Sequence, residues 1–232
     1  MKLLLSLALP FFLYFTPSSY AESAENASVV NTLKHSLFNS TKIRASDGND
    51  TLDPQVLAAV IGIFEFGLPK DFHKKLTRLK ALYAFQPKAA GKRLAYYDEK
   101  REAIVVPGAS HFWGSSGKLA TRTLYGTLAH EIGHAVIFSV LTAHELARVA
   151  AKFGGWPPPT EAQTNFHHPF FLERPYPSRS YNATVFPTSY AFTNIHEWFA
   201  ENFSRYILEQ MSLAPRRGHA GLTQYFKDLL TQ

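Results

Sequence analysis

The sequence predicts an α+β domain that is mostly helical and carries one small sheet. Three observations predict it. Apolar residues recur at helical spacing in several segments, most regularly at Leu124, Leu128, Ile132, Val136 and Val140. One pair of short β-prone runs, Leu94 to Tyr97 and Ala103 to Val106, flanks a polar turn. The chain has 232 residues, 46% of them hydrophobic and 18% charged, which is a globular composition with enough length for one domain.

The elements follow in chain order. Lys2, an apolar run from Leu3 to Phe15 and small residues at Ser19 and Ala21 predict a signal peptide over 1–21, cleaved after Ala21. The apolar run is shorter than the ~20 residues of a spanning helix and contains Pro10. The mature protein is therefore expected to be secreted or periplasmic, with no stable membrane anchor after cleavage. Residues 22–50 are polar and rich in Ser, Asn and Ala, and are expected to be loosely ordered, leaving 51–232 as the domain.

Asp53-Pro54 reads as an N-cap followed by proline at the first helical position, with an apolar stripe from Val56 to Phe64. Gly67 and Pro69 end that helix. A second helix is expected next, with Phe72, Leu76, Leu79 and Tyr83 on one side and a solvated face of Lys70, Lys74, Lys75, Arg78 and Lys80. Residues 93–107 read as a hairpin, and 108–117 as a loop with His111, Phe112 and Trp113. Residues 119–142 form the strongest helix. A short one follows from about His144 to Phe153, ended by Gly154-Gly155. Trp156 to Pro187 is rich in aromatic residues and proline, a long stretch of the kind that often serves function. Residues 194–212 and 222–230 read as the last two helices.

The chain has no cysteine. That excludes a disulfide framework, a thiolate metal site, a cysteine nucleophile and a lipid-anchored N-terminal cysteine. Any metal must be held by histidine and carboxylate. The net charge of +6 is not gathered into a run, so no nucleic-acid partner is expected.

His130-Glu131-Ile132-Gly133-His134 lies inside the strongest helix. Histidines at i and i+4 face the same way, and both imidazoles can reach one zinc ion. Glu131 points toward the same cleft, where it can accept a proton from the attacking water. Gly133 costs ~1 kcal/mol of helix propensity, so it is expected to serve close packing beside the site. A catalytic zinc needs a third protein ligand. Glu197 and Glu201 stand one turn apart on a helix otherwise built of Trp198, Phe199, Phe203, Tyr206 and Ile207. Two carboxylates at that spacing repel unless a cation or histidine lies between them. Glu197 is assigned as the third ligand. Glu201 is assigned to orienting a ligand imidazole from behind. His111, His144, His167, His168 and His196 lack partners at ligand spacing and read as surface or hydrogen-bonded histidines.

The HEIGH helix and the block Tyr190-x6-Glu197-Trp198-Phe199-Ala200-Glu201 together resemble the catalytic domain of anthrax lethal factor and its relatives, including the clostridial Pro-Pro endopeptidases. The resemblance implies a zincin-like metallopeptidase domain of gluzincin type, with a small sheet edging the active-site cleft. It implies a zinc endopeptidase acting on a peptide or protein substrate. His130, His134 and Glu197 would bind Zn2+, Glu131 would be the base, and Tyr190 would stand over the reacting oxygen. The hairpin's edge strand would pair with substrate, and Trp113, Trp156 and the proline-rich segment would close over it. The stretch between His134 and Glu197 is longer than expected for that family, so substrate preference does not carry over. The same fold also occurs as a catalytically silent, partner-binding toxin component; that form lacks the zinc motif.

Overall fold

The computed structural model describes residues 24–48, 51–85, 95–107, 121–158, 160, 165–172 and 183–232. The expected signal peptide, the His111–Trp113 loop and much of the proline-rich stretch lie outside these residues. Within them the protein is mostly helical with one four-stranded sheet, the α+β class the sequence predicts.

The sheet has the order β1 (Arg44–Ser46), β2 (Ala81–Ala84), β4 (Ala103–Val106), β3 (Tyr96–Asp98). The first three run parallel. β3 pairs antiparallel with β4 through Tyr96–Val105, Tyr97–Ile104 and Asp98–Ala103. The predicted hairpin therefore forms, and β3 lies at the sheet edge. All four β4 residues are buried, as for a strand covered on both faces.

Helix α1 (Ala24–Thr41) packs on α2 (Pro54–Gly62). This corrects the expectation of a loose 22–50 segment: Leu37 is fully buried and Val30 nearly so, while β1 completes the sheet. The Ser/Asn-rich outer face hides that helix from a periodicity reading. Asp53 caps α2, its carboxylate accepting the Gln55 N–H at 2.7 Å, and Pro54 is the first helical residue.

The second helix expected around 70–83 does not form. Asp71 sits in the left-handed region at φ 68°, one 3-10 turn follows at Phe72–Lys75, and the chain then enters β2. Phe72, Leu76 and Leu79 are buried as expected, but from turns rather than from one helix face. Pairing of β2 on both edges overrides the helical spacing.

Two helices dominate the interior: α3 (Thr121–Val140) and, beyond α4 (Ala143–Val149) and the single turn α5 (Pro169–Leu172), α6 (Ile195–Gln210). They pack along their lengths, and α7 (Ala220–Thr231) closes the far side through Phe226 against Phe199 and Phe203. A Thr142–Glu145 capping box starts α4, and Gly155 at φ 71° ends its continuation, as the glycine pair predicts. The contact between α3 and α6 depends on Gly133. A Cβ there would stand 3.0 Å from Ala200 Cα, so the glycine lets the helices close. No helix among the described residues is long and apolar enough to cross a membrane.

Candidate metal centre

α3 and α6 bring the predicted ligand set together. Asn194 caps α6 by accepting the Glu197 N–H at 2.9 Å, which places Glu197 in the first turn. The Asn194 amide in turn donates to the Leu172 carbonyl at 3.2 Å, anchoring the cap to α5. Glu197 Oε2 then lies 3.0 Å from His130 Nε2 and 3.3 Å from His134 Nε2, and the two Nε2 atoms are 3.1 Å apart.

Those spacings test the fit of a metal. Three ligands at ~2.0–2.1 Å from a tetrahedral zinc are about 3.3 Å from one another. The donor atoms already stand at that separation, and they converge on one point. The group can hold a metal ion.

Electrostatics describe the same convergence. Burial alone would lower the His130 imidazole, but the Glu197 and Glu201 carboxylates beside it reverse this and raise its pKa to about 10. Burial works against ionisation of Glu197 too, and both imidazoles outweigh it, holding the carboxyl well below the usual range.

Glu201 lies behind His130, with Oε1 3.1 Å from Nδ1, although that contact is not well aligned for a hydrogen bond. The other oxygen accepts the Thr188 hydroxyl at 2.9 Å. A carboxylate behind an imidazole is the kind of neighbour that can orient a metal-binding histidine.

Glu131 is buried beside the two histidines. Burial pushes its pKa up, with His134 and His130 opposing and the nearby Tyr97 backbone adding a smaller lowering effect. The edge strand β3 thus runs beside the predicted base, a neighbour the sequence does not reveal. Tyr190 lies at the cleft, 52% exposed, its ring 5.9 Å from that of His130. All these groups line one cleft of about 990 Å³. Its walls include Tyr96 and Tyr97 of β3 and Thr188 and Tyr190 of the segment before α6.

Two expectations fail. Trp156 does not cover substrate; it is 2% exposed, in the core. His196 is not a surface histidine. It is enclosed by Phe138, Phe166 and Phe171, its Nε2 has no hydrogen-bond partner among the described residues, and burial lowers its pKa to about 3. Asn202 is also buried: its amide donates to the Val185 and Trp198 carbonyls at 2.8 Å. It fastens the segment that carries Thr188 and Tyr190, as do the Trp198 indole bonded to Val185 and the Phe186–Phe192 stack.

Sequence reasoning missed Asn194, Thr188 and Tyr97. Only Asn194 left a signal, since Asn followed three residues later by Glu is a helix-start pattern. Comparison with known protein families, characterised proteins and solved structures finds no match to this chain.

Proposed function

We propose that the protein is an exported, zinc-dependent endopeptidase of zincin-like fold, similar to the lethal factor catalytic domain. The observation that carries this reading is the convergence of His130, His134 and Glu197 at tetrahedral spacing, with Glu131 buried next to them in an open cleft. The two histidines and one carboxylate leave room for substrate or water as further ligand, the pattern of catalytic rather than structural zinc. The mixed sheet with its antiparallel edge strand beside α3 is compatible with that fold.

Zinc bound by these side chains supplies Lewis acidity, polarising the scissile carbonyl and lowering the pKa of water at the site. The rest falls to the chain. Glu131, buried beside the two histidines, accepts a proton from the attacking water and passes it to the leaving amine. Glu201 and Thr188 hold His130 in orientation. Tyr190 donates its hydroxyl to the developing oxyanion. β3 offers backbone hydrogen-bonding groups to an extended peptide.

The test combines metal analysis with peptide cleavage. The purified protein should carry about one zinc per chain, and Glu131→Gln should keep the metal while losing ~10²–10⁴ in rate. Unchanged cleavage by metal-stripped protein overturns the reading. Bound zinc with no cleavage of any peptide library, but tight capture of one partner, would favour a silent binding domain.

A further inference from the structure

The cleft extends well past the metal ligands. α3 and α6 run antiparallel: Ser204 Oγ donates to the Gly126 carbonyl at 2.7 Å, His130 meets Glu197 and Glu201, and Gly133 faces Ala200. Moving from His130 toward the start of α3 is therefore moving from Glu201 toward the end of α6. That direction leads to Arg122 on α3, Arg205 on α6 and Arg217 just beyond α6, and all three line the cleft. The other part of the cleft holds the acids Glu99, Glu131, Glu197 and Glu201.

The arginine end forms a basic wall of the cleft. None of the described residues lining it is acidic. Glu201 uses one oxygen toward His130 and the other for Thr188. Glu209, buried near the end of α6, accepts the backbone N–H groups of Arg217 and Gly218 at 2.9 and 3.0 Å, which fixes Arg217 at the rim. Arg205 donates to the Ala183 and Thr184 carbonyls and to Asn202 Oδ1, which position its guanidinium beside the cleft. Arg122 and Arg217 are exposed, and among the described residues their guanidinium groups form no ion pair.

We propose that this end of the cleft is a subsite for an acidic residue of the peptide, whose side-chain carboxylate is held by Arg122 and Arg217 with Arg205 behind them. The proposal rests on the peptidase reading of the same cleft. Guanidinium groups are suited to it because they present paired donors to a carboxylate. Arg122 precedes His130 by eight residues, about 12 Å along the helix. An extended peptide covers that distance in about three to four residues, which sets the separation between the acidic residue and the cleaved bond.

The test reads binding, so it does not depend on turnover. The probes are short fluorescein-labelled, C-terminally amidated peptides carrying two adjacent Glu, or Gln at the same positions. Anisotropy is measured on metal-free full-length protein and on zinc-loaded Glu131→Gln. The Glu peptide should bind about five- to ten-fold tighter, and Arg122→Gln/Arg217→Gln should reduce the preference below about two-fold. The distant control Lys70→Gln/Lys227→Gln, with the same loss of charge, should retain it. Equal binding of both peptides, binding of neither, a preference surviving in the arginine variant or one lost equally in the lysine control overturns the proposal. A Gln peptide with a free C-terminal acid should bind like its amide; affinity equal to the Glu peptide overturns the side-chain assignment. Failure of the peptidase reading shows separately, as absent cleavage by the zinc-loaded wild type.

Discussion

Replacing Gly133 with Ala tests whether the metal centre depends on the approach of two helices. The new Cβ would stand 3.0 Å from Ala200 Cα, 3.3 Å from Phe203 Cδ1 and 3.4 Å from Ala200 Cβ. Comfortable carbon contacts begin near ~3.5 Å, so α3 and α6 must part by about 0.5 Å, and the nearest obstacle is backbone that cannot rotate away. Overpacking of this kind costs about 1–3 kcal/mol, and the gain in helix propensity returns about 1 kcal/mol. The net expectation is a loss of about 0–2 kcal/mol, read as a Tm lower by up to a few degrees. Gly126 provides the control on the same helix. Its added Cβ would meet Leu208 Cδ1 at 3.5 Å and Ser204 Oγ at 3.7 Å, ordinary contacts, so Gly126→Ala should stabilise by about 0.5–1 kcal/mol. Metal binding should separate the two further. His130 and His134 sit on one helix and Glu197 on the other, while metal–ligand distances tolerate only ~0.2 Å. Gly133→Ala should weaken zinc by about ten-fold in competition with a chromophoric chelator. Equal stability and equal zinc affinity in the two variants would refute the reasoning.

Other expectations follow from the same geometry. Glu197→Ala should leave no zinc after dialysis, whereas Glu201→Gln should keep it with about 10–100-fold lower affinity; the opposite order overturns the ligand assignment. His196 gives a pH dependence. Its folded pKa is lowered by burial to about 3, against about 6.5 for an unfolded histidine. Between those values the unfolded chain binds a proton that the folded protein refuses, so this contribution is intact above pH 6.5 and is lost as pH falls toward 3. Denaturant titrations should accordingly show His196→Leu gaining on wild type as pH drops from 7 to 4, and a constant difference would contradict the burial argument. Asn202→Ala removes the donor to two buried carbonyls and the acceptor for Arg205, and should cost about 1–3 kcal/mol in chemical denaturation. A change below about 0.5 kcal/mol would show that the segment before α6 is held by other contacts.

The sequence by itself determined the two helices of the centre and the residues they contribute. His130 and His134 share a face because a helix returns after 3.6 residues, and an uninterrupted stripe from Leu124 to Val136 states that period openly. The hairpin was legible for the same reason at a period of two. Segments whose structure depends on distant partners were not. α1 hides its buried line among Ser and Asn, and residues 81–84 become a strand only because β1 and β4 are there to pair with them. The placement of Glu131 beside β3, the enclosure of His196 by three phenylalanines, and the gathering of Arg122, Arg205 and Arg217 at one end of the cleft were decided by tertiary structure alone. The physical reason is shared. Local periodicity records which face of an element is apolar, whereas a charge environment is set by elements far apart in the chain and by backbone groups every residue carries.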